Sequence, residues 1–137
     1  MSASTLLAAV LEAEHAAVYG YGVLGARLDD ATRRAALAAF DAHRARRDDL
    51  LARLGTGAPA TAAAYDVAVH SVGEALVLAV ALEEGVGVRW LALVGGTADP
   101  ALRLLGVGGL QETAVRAAHW RRLRGAGPVT VAFPGRR

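Results

Sequence analysis

The sequence predicts an all-α protein, a four-helix bundle with one long crossover. Three observations predict it. Apolar residues recur at spacings of three and four through four separate stretches, each about 24 residues long and so about 36 Å as a helix. Each stretch is bounded by residues that cap or break helices. The connection between the second and third stretches is long and the other two are short, which pairs the helices two and two. A chain of 137 residues suits one domain, residues 1–137, and at this size folding buries about 68% of the surface the unfolded chain exposes, enough for a core without staples.

The first helix is expected from Ser4, its N-cap, to Leu28. Asp29 and Asp30 end it and open the second, over Ala31–Leu54, which stops at Gly55. Gly55–His70, with Pro59 and a run of small residues, reads as the crossover. Ser71 and Glu74 form a capping box that opens the third helix, over residues 71–94, before Gly95 and Gly96. Asp99 caps the fourth helix, residues 99–124, and Pro100 takes its first position. Gly106, Gly108 and Gly109 are where that helix is expected to bend or break. Residues 125–137 form a short extended tail in which Val129, Val131 and Phe133 alternate with Thr130 and Ala132, giving one side to pack on the bundle.

Composition excludes several classes. A hydrophobic content of 54% is too high for a disordered chain. The absence of Cys removes disulfide frameworks and thiolate metal sites. All 15 basic residues are Arg, and the absence of Lys, Ile and Asn reads as the coding bias of a GC-rich genome. A formal net charge of +2 argues against a dedicated nucleic-acid domain. The N-terminus has no basic start, and Glu12, Glu14 and His15 interrupt its apolar run, so it is not read as a secretory signal. Glu74, Glu83, Glu84 and Arg89 interrupt the apolar stretch Val72–Val94, which argues against a membrane span. A cytoplasmic location with no membrane partner is the expectation.

The inward stripes carry the chemistry. The first helix presents Leu7, Leu11, Glu14, Val18 and Tyr21; the second Ala36, Phe40, His43, Arg47 and Leu50. The third presents Leu76, Ala79, Glu83, Val86 and Trp90; the fourth Ala101, Leu105, Gly108, Glu112, Val115 and His119. Each stripe has an ionisable residue near its middle, and buried charges are costly unless paired or metal-bound. Di-iron bundles take a Glu from each of two helices and Glu-x-x-His from each of the other two. Glu14 and Glu83 fit the lone carboxylates, and His43 and His119 fit the histidines. Phe40 and Arg116, however, stand three residues before those histidines, so both paired carboxylates are missing. Glu112 is the substitute for one of them, and iron or manganese would still be short of oxygen ligands. The favoured reading has no resident cofactor: the stripes form a buried ion-pair cluster, with Arg47, one turn from His43, as the core cation facing Glu14 or Glu83. Tyr19, Tyr21 and Phe40 are candidate lining residues of a pocket beside it. Glu84 and His15 fall one step off their stripes, at the boundary or surface.

Glu14-His15-Ala16-Ala17-Val18-Tyr19-Gly20-Tyr21-Gly22 resembles the signature of an actinobacterial ferritin-like family of unknown function. So do His43, Arg44, Arg46, Arg47 and Asp48 on the second helix, Leu82 and Glu83 followed by Trp90 on the third, and Trp120 followed by Pro128–Gly135. The resemblance spans essentially the whole chain. It implies a ferritin-like bundle with its crossover between helices two and three, and no established activity. The expected role is therefore binding or interaction, as a homodimer through an apolar helix face or the tail, with a degenerate metal site. A metal-dependent oxidase or oxygenase, with Glu14, His43, Glu83 and His119 as ligands, is the alternative. A third reading is a polyanion binder using the Arg-rich faces of helices two and four.

Overall fold

Each helix starts where a side chain can accept a hydrogen bond from an otherwise orphaned amide. In a computed structural model, which describes residues 1–136, α1 spans Ala3–Leu24, α2 Asp30–Leu54, α3 Val72–Gly96 and α4 Pro100–Arg124. Short 3-10 turns at Gly25–Arg27 and Gly55–Gly57 follow α1 and α2. The fold is an all-α four-helix arrangement, with no strand among the described residues. Ser71 and Asp99 cap α3 and α4 as expected, and Asp29 caps α2 through Thr32. The first cap is Ser2 rather than Ser4, because Ser2 accepts from the Thr5 amide. The α-helical part of the first segment also ends at Leu24, short of Leu28, where the backbone tightens into the 3-10 turn.

The core has two apolar ends and a polar middle. Leu6, Leu7, Val10, Leu11, Leu50 and Leu93 fill one end, with Trp90 at its inner edge. Leu24, Leu28, Ala36, Leu76 and Val80 fill the other, bounded inward by Tyr21 and Trp120. Glu14, His43 and Glu83 are completely or almost completely buried between the two layers. The main backbone approaches are α1 to α2, α1 to α3 and α3 to α4; α2 and α4 stand further apart and are bridged by long side chains.

The fourth helix corrects two expectations. It is continuous through Gly106, Gly108 and Gly109. Its buried face is Gly106, Gly109, Thr113, Ala117, Trp120 and Arg121, one residue on from the stripe read from the sequence. The cause is close packing. A Cβ on Gly109 would clash with the Trp90 indole, so only glycine lets α4 approach α3 there. The apolar side chains Leu104, Val107 and Val115 are left facing outward.

The tail is also different from its expectation. Val129, Val131 and Phe133 are exposed. The tail rests on α3 and α4 through Gly135, whose positive φ of 82° and close approach to the Gly87 carbonyl leave no room for a side chain. Arg137, the last residue of the predicted tail, lies outside the described residues.

Candidate functional site

The polar middle is a closed network drawn from all four helices. Residues 11, 14 and 21 share one face of α1, so Glu14 and Tyr21 enter the core beside Leu11. On α2 the buried positions Ala36, Ala39, His43 and Leu50 place a single imidazole between two layers of small and apolar side chains. His43 Nδ1 lies 2.6 Å from Oε2 of Glu14, and its Nε2 lies 3.0 Å from Oε1 of Glu83. Burial opposes a charge on this ring, but the two carboxylates outweigh it and raise His43 from its ordinary value near 6.5 to about 9. The ring is thus an imidazolium at neutral pH, donating an N–H to each carboxylate.

The aromatic residues complete the network. Trp90 Nε1 donates to Oε1 of Glu14 at 3.2 Å. The Tyr21 hydroxyl donates to Oε1 of Glu83 at 2.5 Å and accepts from Trp120 Nε1 at 2.7 Å. Burial, and then the neighbouring Glu83 charge, push the Tyr21 hydroxyl well above its ordinary value, so it stays protonated. Arg116 reaches in from α4 and donates from Nε to Oε1 of Glu83 at 3.0 Å. Two carboxylates therefore face two cations, and the buried site is formally neutral. Three donors converge on Oε1 of Glu83, and its buried Oε2 has no partner.

Of the residues singled out in the sequence, Glu14, His43, Glu83 and Tyr21 meet here. Arg47 does not. It pairs with its neighbour Asp48 at 2.8 Å on the flank of α2. The space between Glu14 and Glu83 is already filled by the His43 ring, and Arg116 supplies the second cation. Glu112 faces solvent and takes a two-pronged hydrogen bond from Arg46, whose guanidinium also lies over Trp90. His119 sits at the rim against Trp120, near Arg122. Both moves follow from the one-residue rotation of α4. Tyr19 is exposed and packs on Tyr65 of the crossover; Phe40 is half-buried under Arg44. Neither lines the network. His15, expected at the boundary or surface, is buried and bonded to Thr61 of the crossover at 3.0 Å.

Sequence reasoning missed three members: Trp90, Trp120 and Arg116. A buried indole N–H needs an acceptor, and that requirement is the signal that ties the two Trp residues to the buried carboxylates and Tyr21. Arg116 precedes Trp120 by four residues and so shares its face, a signal that depended on setting the α4 stripe correctly.

The donor chemistry does not suit a di-metal centre. A metal ligand needs a ring nitrogen with a free lone pair, and each His43 nitrogen faces a carboxylate, so a metal would first have to displace a ring proton. Arg116 brings positive charge where a di-metal site would need a further carboxylate. Among the described residues, no group of three or more His, Asp or Glu is arranged to hold a metal ion. No helix among them is long and apolar enough to cross a membrane.

The geometry can be set beside known proteins. The sequence model of a family described as a domain of unknown function, DUF4439, matches residues 6–137. A crystal structure of a conserved hypothetical protein from Mycobacterium tuberculosis superposes with a TM-score of 0.85, at 36% identity, covering 97% of this chain and 98% of that one. No curated protein matches the sequence.

Proposed function

This chain belongs to the DUF4439 family, and from that footing we propose that it is a binding protein on a ferritin-like bundle, with an ion network where related folds would hold metal. One observation carries the reading: both nitrogens of His43 are occupied by carboxylates, at 2.6 and 3.0 Å. A ring held in this way is a structural cation. Its single charge is shared between Glu14 and Glu83, which are the two residues best placed to ligate iron or manganese. Arg116 meets the rest.

The competing oxidase reading requires His43 to lose a proton, turn away from one carboxylate and leave Arg116 beside a metal. The polyanion reading is disfavoured by charge pairing. Arg33, Arg44, Arg47 and Arg53 on α2 pair with Asp30, Asp41, Asp48 and Asp49, as on an ordinary solvated helix face.

The homodimer belongs to the same proposal. Leu104 and Val115 are 75% and 71% exposed on the outer face of α4, and Phe133 is 65% exposed on the tail. Light scattering at increasing concentration is expected to give a dimer mass that Leu104→Arg converts to monomer. A monomer throughout would remove this part.

The main test is elemental analysis of protein purified from iron- and manganese-supplemented cultures, with oxygen uptake measured in parallel. Substoichiometric metal and no metal-dependent oxygen uptake are expected. Near-stoichiometric metal that is lost in Glu14→Ala or Glu83→Ala would overturn the proposal.

A further inference from the structure

A cavity of about 450 Å³ lies between α3, α4 and the tail and meets the buried network at Glu83. That volume is within the range of small-molecule sites. Small residues on the facing helices, Gly87 and Ala114 among them, hold it open, and Val88 and Leu110 make its walls apolar. Val131 and Pro134 form its roof. The roof is pinned at two places: Gly135 is seated against Gly87, and Arg121 Nη1 donates to the Val129 carbonyl at 3.3 Å.

Charge accounting identifies the ligand. Four charged residues line the cavity: Glu83, Glu84, Arg121 and Arg136. Glu83 is neutralised from the core side by His43 and Arg116. Glu84 is neutralised by the buried Arg121, whose Nη2 lies 2.6 Å from its Oε1. Arg136 has no carboxylate partner among the described residues and rests over the Phe133 ring. The lining is thus apolar, with one unmatched cation on the tail. Thr113, the remaining polar residue of the α4 wall, spends its hydroxyl hydrogen on its own helix carbonyls.

We propose that this cavity binds a small monocarboxylate with an apolar body, its chain lying between α3 and α4 and its carboxylate held by Arg136 at the tail. A carboxylate here gains a charge-assisted hydrogen bond without displacing an existing ion pair. An ammonium would face Arg136 where the charges of both lining carboxylates are already balanced, and the one acceptor left open, Oε2 of Glu83, is buried on the core side.

The test is NMR titration of the full chain with octanoate, octanol and octylammonium, each at submicellar concentration. Saturable octanoate shifts centred on Ala114, Ala117 and Gly135 are expected, at least tenfold weaker for octanol and absent for octylammonium. Arg136→Gln, on the exposed tail, is expected to weaken octanoate at least tenfold with the helix signals unchanged. Ala114→Leu, which fills the cavity, is expected to abolish binding while leaving the His43 resonances in place. Equal response to all three probes, or unchanged octanoate affinity in Arg136→Gln, would overturn the proposal. So would protein-concentration-dependent shifts at the same residues without ligand, which would mark the face as a contact between copies of the chain.

Discussion

Nδ1 of His43 lies 2.6 Å from Oε2 of Glu14, with both side chains fully buried. The two residues come from adjacent antiparallel helices and sit at the junction of the two apolar layers. A lone buried carboxylate at this depth would be costly. The imidazolium offsets that cost and passes its second N–H to Glu83. Breaking one partner of such a buried pair typically costs about 3–5 kcal/mol, because the other charge is left uncompensated. Glu14→Gln is therefore expected to lower stability by about that amount in urea unfolding. Arg47→Ala, which removes a flank ion pair with Asp48 and a like charge near His15, is expected to change it by less than about 1 kcal/mol. Similar losses in the two variants would contradict the placement of the core cation.

Stability is expected to fall as pH rises above neutrality. His43 is raised from about 6.5 to about 9 by its carboxylates acting against burial, so its contribution is fully present below 6.5 and is lost as pH rises through about 9. That difference corresponds to about 3 kcal/mol. Tyr21, raised chiefly by burial, adds a loss of the same sign at still higher pH. His15 works the other way: burial, followed by Arg47, lowers it, so its contribution is present above 6.5 and lost in acid. Unfolding midpoints at pH 6.5, 7.5 and 9 test this, and a flat profile across that window would speak against a charged His43.

Tyr21→Phe removes a hydroxyl that links Trp120 to Glu83. The Trp120 N–H is then buried without an acceptor, which costs about 1–3 kcal/mol. Trp120→Phe in the same background should recover part of this, because no orphaned donor remains. A double-mutant cycle is expected to show coupling above about 0.5 kcal/mol; strict additivity would argue against the hydroxyl bridge.

Two glycines in helices should respond with opposite signs to alanine. Gly85→Ala has open space at its Cβ and is expected to stabilise α3 by about 0.5–1 kcal/mol. Gly109→Ala drives its Cβ into a clash with the Trp90 indole and is expected to destabilise by about 1–3 kcal/mol despite the better helix propensity. It should also disturb the Trp90 bond to Glu14, visible in the indole N–H resonance.

The helices were legible because their limits are local. Asp29, Ser71 and Asp99 cap the chain where the sequence places caps. Glu14, His43 and Glu83 were legible because each sits alone among apolar neighbours on a clear stripe. Helix α4 was not, since apolar residues lie on several of its faces and the inward one is defined by what is absent: the side chains of Gly106 and Gly109. That one-residue rotation put Glu112 and His119 in the core on paper and hid Trp120 and Arg116. Arg47 was misplaced for a related reason. Periodicity gives a residue's face, but a long flexible side chain near the edge of that face follows the nearest solvated carboxylate, here Asp48.

The most direct measurement is the 15N spectrum of the His43 ring at pH 7, recorded anaerobically before and after equilibration with excess ferrous iron. The expected result is two protonated ring nitrogens, unchanged by the metal. A ring nitrogen without a proton, or a His43 signal lost to bound iron, would contradict the claim that this imidazolium occupies the place of a metal.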